Sequence, residues 1–107
     1  YYMVLVMPPV HVSTADAYRG VVPKTPSQSL EDLVKLPINQ WQGKIKNDFE
    51  EHIFKAHPQI RRVKASLIEA GAEFALMSGS GASVFGIFKN KQDLSFLEPE
   101  GNVVFYI

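Results

Sequence analysis

The chain has 107 residues, of which 46% are hydrophobic, and its 11 basic side chains balance its 11 acidic ones, so the formal net charge is zero. This length fits one domain with a single core, and neutrality disfavours nucleic acid or an anionic membrane as a partner. The lack of cysteine excludes disulfides, thiolate catalysis and cysteine-based zinc sites. No apolar run reaches the length of a membrane span. This composition is compatible with a cytoplasmic location, and we expect contact with neither nucleic acid nor membrane.

The chain opens on a strand pattern from Tyr2 to Met7, with no initiator methionine in first place, as expected of a domain from a longer protein. Two prolines end this strand, because proline cannot donate to a sheet. Ser13 is a suitable N-cap for a short helix over residues 14–19, with Asp16 at the third helical position. Residues 20–28 contain two prolines and several polar side chains, which predicts an exposed loop.

The next segment predicts further helices between Ser29 and Gly71. Ser29 can cap a helix that runs to Leu36, is interrupted by proline, and resumes over residues 38–44 as a kinked or separate helix. Asn47 is predicted to cap the following helix, with Glu50 placed to reach back to the amide of Asn47.

The second half of the chain predicts the most regular helix and three strands. Pro58 suits a first helical turn, and apolar residues follow helical spacing up to Gly71, a suitable C-terminal cap. Apolar runs over residues 74–77, 83–88 and 103–106 predict strands, with a polar segment before the last one that could hold a short helix. This order predicts an α+β fold, a ferredoxin-like antiparallel sheet with helices on one face.

A glycine-serine loop, Met77-Ser-Gly-Ser-Gly-Ala-Ser-Val-Phe85, joins two of these strands. It lacks the Lys-Ser/Thr ending of a Walker loop and the following helix of a dinucleotide fingerprint. Two interpretations stay open: a hairpin in which Gly79 and Gly81 supply positive φ, or a ligand site where backbone approaches closely.

A second candidate site lies in the first helix, where Thr14 and Tyr18 are four residues apart and share a face. A helix start leaves N–H groups free, and a tyrosine ring can stack on a base. The alternative is that Ser13 only caps the helix and Tyr18 only packs against the core.

The remaining polar and aromatic residues are predicted to have structural roles. The three histidines are too scattered in sequence to indicate a metal site. Arg61, Arg62 and Lys64 fall on polar positions of the long helix and are predicted to form a solvated face. Trp41 is predicted to anchor the interrupted helix against the sheet.

Four segments together resemble the 4-diphosphocytidyl-2-C-methylerythritol kinases, a branch of the GHMP small-molecule kinases. They are Val10-His-Val-Ser-Thr-Ala-Asp-Ala-Tyr18, Asn47-Asp-Phe-Glu50, His57-Pro58 and the loop of residues 77–85. Their order and spacing match the C-terminal half of that family, and the resemblance covers nearly the whole chain from Val4 to Phe88.

The resemblance implies transfer of the γ-phosphoryl group of ATP, with Mg²⁺, to a hydroxyl of a cytidine-diphosphate-linked methylerythritol in the non-mevalonate route to isoprenoids. In this family the ATP-phosphate loop and the catalytic Asp and Lys belong to an N-terminal domain, which nothing in residues 1–107 matches. Residues 1–107 are therefore expected to be the C-terminal domain of a longer kinase. Such a domain would carry no catalytic residue and no metal ligand, would be inactive alone, and would have the N-terminal domain as its partner.

The same resemblance implies the roles of individual residues. Thr14 and Tyr18 correspond to the family's threonine and aromatic residue beside the cytidine. Ser78, Gly79, Ser80 and Gly81 correspond to the motif that closes the cleft near the phosphates, where loop amides would position phosphate oxygens.

Two alternatives remain open. The chain could belong to another GHMP kinase, acting on homoserine, mevalonate or a galactose-type sugar, which shares the loop but lacks the cytidine segment. It could also be a non-catalytic ferredoxin-like module that binds a small ligand or a partner.

Overall fold

The structure is a computed structural model that describes residues 1–23 and 28–107. The strands found in these residues are β1 (Tyr2–Met7), β2 (Phe74–Met77), β3 (Val84–Phe88) and β4 (Val103–Tyr106). The α-helices of the described residues are α1 (Thr14–Gly20), α2 (Leu30–Leu33), α3 (Glu50–Ala56) and α4 (Pro58–Glu69), and 3₁₀ turns span Ile38–Gln40 and Ser95–Glu100.

The strands form one antiparallel sheet in the order β2-β3-β1-β4. In its register, Val6 lies opposite Val84, which in turn lies opposite Met77. β2 and β3 are neighbours in both the sequence and the sheet, whereas β1 lies between β3 and β4, as in a ferredoxin-like fold. The predicted fold class is confirmed.

The core lies between the sheet and helices α1, α3 and α4. Alternate residues of β3, namely Val84, Gly86 and Phe88, are buried, because successive strand side chains point to opposite faces. On α4 the buried residues are Ile60, Val63 and Leu67, which follow helical spacing. The two periodicities therefore meet on one face of the sheet.

Several predicted helix ends are confirmed by their hydrogen bonds. Ser13 Oγ accepts from the Asp16 amide at 3.4 Å, and Ser29 caps α2 in the same way. Pro58 is the first residue of α4. After α4, Gly71 has a φ of +103°, and the following amide donates to the Leu67 carbonyl at 3.1 Å. This is a Schellman ending, for which glycine is preferred.

The segment after Ser29 departs from the sequence prediction. The helix is one turn, α2, and does not continue to Leu36, while a 3₁₀ turn stands where residues 38–44 were expected to be helical. Proline at position 37 cannot donate to a preceding turn and disfavours helical backbone before it. The predicted exposed loop over residues 20–28 falls partly on residues 24–27, which lie outside the described residues.

The second face of the sheet is covered at one corner. Trp41 packs edge-on against Phe74 at 5.6 Å between ring centroids, and its indole N–H donates to the Leu36 carbonyl at 3.0 Å. The predicted role of Trp41 as an anchor is confirmed. Apolar side chains further along the sheet, including Met7 and Phe105, stay partly exposed.

Among the described residues, no helix is both long and apolar enough to span a bilayer.

Candidate functional site

The two candidate segments lie at the same end of the sheet. The glycine-serine loop, residues 78–83, follows β2 and precedes β3, and β1 leaves the sheet beside it because Val6, Val84 and Met77 are in register. A Cβ atom placed on Gly81 would lie 3.5 Å from a methyl group of Val12 and 3.7 Å from Ile53 of α3. The fold therefore brings the loop against the residues that precede Thr14.

The glycine-serine loop is a tight hairpin connection that depends on its glycines. Gly79 has a φ of +56° and Gly81 a φ of +95°, as the sequence predicted. The Ser78 amide donates to the Ser83 carbonyl at 2.8 Å, and the Gly81 amide donates to the Ser78 carbonyl at 3.1 Å. L side chains disfavour such φ values, so glycine is required to keep this shape.

Other loop amides have no acceptor in the part of the chain that the structure describes. The N–H groups of Gly79, Ser80 and Ala82 make no hydrogen bond to any described residue. Successive N–H groups in a loop with left-handed residues form a concave surface that attracts anions. The loop can therefore donate several hydrogen bonds to the oxygens of a phosphate, and the residues present fit that ligand.

Thr14 and Tyr18 stand on the exposed side of α1. Both side chains are exposed, and the ring of Tyr18 is 64% accessible. The buried contact of α1 is made by Ala17 instead. Tyr18 still has one defined neighbour, because its ring packs edge-on against Phe49 at 5.1 Å between centroids. A face of an aromatic ring supported in this way is available for stacking.

Asn47 connects the loop to α3, whereas the sequence predicted it as the N-cap of that helix. The helix begins at Glu50, with Phe49 as its N-cap, so Asn47 lies too early to cap it as predicted. Its side-chain N–H₂ donates to the carbonyls of Met77 at 2.8 Å and Gly79 at 2.7 Å, and its Oδ1 accepts from the Phe49 amide at 3.0 Å. The carboxamide thus fastens the end of β2 to the start of α3.

Glu50 also differs from the prediction. Its carboxylate does not reach back to Asn47 but accepts from the Met77 amide at 2.8 Å and from Lys64 Nζ at 2.7 Å. The side chains of Glu50 and Lys64 are only 14% and 17% exposed. The predicted solvated position of Lys64 is therefore wrong, because a long-range ion pair draws the ammonium group inward.

A cleft of about 440 Å³ lies beside the loop. Its wall contains Ser78 and Gly79 of the glycine-serine loop and residues of the segment before α3, including Lys46, Asn47 and Phe49. The structure therefore gathers the loop and Phe49, which supports Tyr18, around one cleft. Sequence spacing gave no signal for this proximity, since the two parts of the wall are some thirty residues apart.

Metal binding has little support in the described part of the chain. No group of three or more His, Cys, Asp or Glu side chains there could hold a metal ion. The loop itself carries hydroxyl groups and amides but no carboxylate, whereas Mg²⁺ in phosphoryl-transfer sites is usually held by one or two carboxylates together with substrate phosphates.

Comparison with known proteins agrees with the geometry. The family model described as GHMP kinases C terminal matches residues 29–99. A protein of Parabacteroides distasonis named 4-diphosphocytidyl-2-C-methyl-D-erythritol kinase is 49% identical over 89 residues, covering 83% of this chain and 33% of that protein. A protein of the same name from Cytophaga hutchinsonii is 40% identical over 102 residues, covering 95% and 37%.

Solved structures resemble the fold as well. A crystal structure of 4-(cytidine 5'-diphospho)-2C-methyl-D-erythritol kinase matches with a TM-score of 0.67 at 27% identity, covering 82% of this chain and 34% of that one. Homoserine kinase from Cytophaga hutchinsonii matches with a TM-score of 0.59 at 21% identity, covering 98% and 40%, which shows the fold alone.

The chain spans about a third of the length of the curated relatives it matches. Its sheet order, its loop between β2 and β3, and the family model over most of its residues agree with one another. The chain belongs to the C-terminal domain family of the GHMP kinases.

Proposed function

We propose that this chain is the C-terminal, substrate-binding part of a kinase that transfers the γ-phosphoryl group of ATP to 4-diphosphocytidyl-2-C-methyl-D-erythritol, in the non-mevalonate route to isoprenoids. One observation carries the proposal. Curated relatives with that name match 83% to 98% of the chain at 39% to 49% identity. The candidate residues, moreover, lie at one end of the sheet, as a binding cleft requires.

Tyr18 and Thr14 form the cytidine side of the proposed cleft. Tyr18 offers an exposed ring that Phe49 supports from its edge, so the ring can stack on a pyrimidine with little loss of side-chain freedom. Thr14 lies one turn earlier on the same helix face and contributes a hydroxyl group beside the base.

The loop of Ser78, Gly79, Ser80 and Gly81 forms the phosphate side. Its N–H groups that have no acceptor among the described residues orient phosphate oxygens by hydrogen bonds. They take no part in bond making or breaking. Phosphoryl transfer depends mainly on positioning and charge stabilisation, to which such donors contribute directly. ATP supplies the transferred group when bound. The N-terminal domain of the longer kinase supplies the catalytic Asp and Lys and most contacts to ATP and Mg²⁺.

The alternatives have less support. The likeness to homoserine kinase, at 21% identity, is evidence for the fold alone, and a hydroxyl and an exposed aromatic ring on one helix suit a nucleobase better than a small amino acid. A cytoplasmic location follows from the proposal, because ATP and a nucleotide-linked sugar alcohol are the substrates.

An acceptor panel tests the proposed function. The full-length protein that carries this chain is incubated with ATP and Mg²⁺ and with 4-diphosphocytidyl-2-C-methyl-D-erythritol, homoserine, mevalonate or galactose, and ADP release is followed. We expect turnover with the cytidine substrate alone, and no turnover by residues 1–107 without the rest of the protein. A higher kcat/KM for any other acceptor contradicts the proposal, and inactivity with all four favours the non-catalytic module.

A further inference from the structure

We propose that Asn47 is a positioning residue, which holds the glycine-serine loop and the Tyr18–Phe49 ring pair in one fixed relation. The inference rests on the proposed function, since those two features are the phosphate and cytidine sides of the proposed cleft. Asn47 makes no hydrogen bond to Thr14 or Tyr18, and it acts through Gly79 and Phe49.

Asparagine has the chemistry that this position needs. Both hydrogens of its side-chain N–H₂ are used, one on the Met77 carbonyl at 2.8 Å and one on the Gly79 carbonyl at 2.7 Å. The carboxamide oxygen meanwhile accepts from the Phe49 amide. Aspartate retains the acceptor but has no donor, so it would oppose a negative charge to two carbonyl oxygens.

The bond to Gly79 also directs a donor of the loop. In a trans peptide unit the C=O and the following N–H point in opposite directions, and the peptide between Gly79 and Ser80 is trans. With the Gly79 carbonyl held towards Asn47, the Ser80 N–H is turned away from Asn47. That N–H has no acceptor among the described residues. Asn47 therefore aims one of the proposed phosphate donors.

The hydrogen bond between Asn47 and the Phe49 amide fixes the cytidine side of the proposed cleft. The Phe49 amide is held by Asn47 Oδ1, and the Glu50 amide donates to the Asn47 carbonyl at 3.0 Å, which fixes the turn before α3. The ring of Phe49 is the neighbour against which Tyr18 packs. A shift of Asn47 would therefore move the support of Tyr18 and the loop together.

Gln42 provides a matched control. Its carboxamide makes the same kind of contact with β2, donating to the Ala75 carbonyl at 3.1 Å and accepting from the Ala75 amide at 2.9 Å. It lies two residues further from the loop along the strand and has no hydrogen bond to the loop or to α3. A purely structural role of these carboxamides predicts the same kinetic effect for both.

The experiment compares Asn47→Ala, Asn47→Asp and Gln42→Ala in the full-length protein, with folding checked by circular dichroism and steady-state kinetics measured for both substrates. Asn47→Ala removes all three side-chain hydrogen bonds of Asn47. We expect kcat to fall about ten-fold, as for loss of the one bond that reaches the loop, at the Gly79 carbonyl, and KM for the cytidine substrate to rise several-fold. Asn47→Asp keeps the Phe49 bond, so it should lower kcat with little change in that KM. Gln42→Ala should stay within about two-fold of wild type. Equal kinetic losses in Asn47→Ala and Gln42→Ala, or wild-type kinetics in Asn47→Ala, overturn the inference.

A second readout separates this inference from the proposed function. If the wild-type protein phosphorylates none of the acceptors, the proposed function fails, and hydrogen–deuterium exchange then decides the role of Asn47. The amides of Ser78 and Gly81 are bonded within the loop, so Asn47→Ala should speed their exchange while Gln42→Ala leaves it unchanged. Unchanged exchange in Asn47→Ala refutes the positioning role.

Discussion

Tyr18→Ala should weaken binding of the cytidine substrate and leave ATP binding little changed. Removal of the ring takes away the stacking surface of the proposed site, while the glycine-serine loop does not contain Tyr18. Base–aromatic stacking measured by alanine substitution is worth about 1–3 kcal/mol, which corresponds to a Kd for the cytidine substrate higher by roughly five- to 150-fold.

The same substitution should cost little folding stability. The Tyr18 side chain is 64% exposed, so its main folded-state contact is the edge-on packing against Phe49. Such a pair contributes about 0.5–1.5 kcal/mol beyond the area it buries. Tyr18→Ala should therefore lower the free energy of unfolding by no more than it weakens the free energy of substrate binding. The variant should stay folded.

Isothermal titration with each substrate, performed on the full-length protein, measures the effect. Tyr18→Phe keeps the ring and should bind the cytidine substrate within about two-fold of wild type. Tyr2→Ala, at the opposite end of β1 from the loop, is the control for loss of an exposed tyrosine. Equal weakening of ATP and cytidine substrate in Tyr18→Ala would refute a specific contact with the base.

Further substitutions test the loop, the buried ion pair and one titrating group. In Gly79→Ala the added Cβ meets no neighbouring atom, so the effect comes from the strain of a positive φ, about 1–2 kcal/mol, which should disturb the loop and lower kcat. Gly71→Ala has equally open surroundings and a positive φ. It should destabilise the fold in urea titrations and leave the kinetics unchanged. Glu50→Gln and Lys64→Met should each lower the free energy of unfolding by about 1–3 kcal/mol, because each leaves a half-buried hydrogen-bonding group without its partner. The double variant should recover part of that loss, and strictly additive losses in denaturant titrations would show that the pair is not coupled. The hydrogen bond from the Ser95 N–H holds the pKa of Asp93 below its ordinary value of 3.8. This carboxylate therefore stabilises the fold above that pH and loses its contribution as pH falls through the folded pKa. Asp93→Asn should lose less stability on acidification than wild type, and an NMR titration that places the pKa of Asp93 above 3.8 would contradict this.

Much of the fold could be predicted because its determinants are local. Strands β1, β2 and β4 have the predicted bounds, since their apolar runs are bordered by prolines, glycines or polar residues. Helix α4 begins at Pro58 and ends before Gly71, which are strong local signals. Where local signals were weaker, around the proline at position 37, the predicted helix was too long.

The candidate site shows where local reasoning fails. Asn47 and Glu50 have the spacing of a capping box, yet their partners are on β2, about thirty residues away in sequence. Periodicity placed Lys64 on the polar side of α4, and it could not reveal the acidic partner on another helix. The roles of Tyr18 and the loop came from a resemblance of several segments, and no spacing rule linked Tyr18 to Phe49.

The hydrogen bonds made by Gln42, Asn47 and Glu50 have a consequence for self-association. β2 is an edge strand, and such strands expose N–H and C=O groups that can recruit a strand from another molecule. Here the outward-facing groups of Ala75 and Met77 already have side-chain partners. Addition of a foreign strand along β2 would have to break those bonds first, so this edge is protected against intermolecular sheet extension.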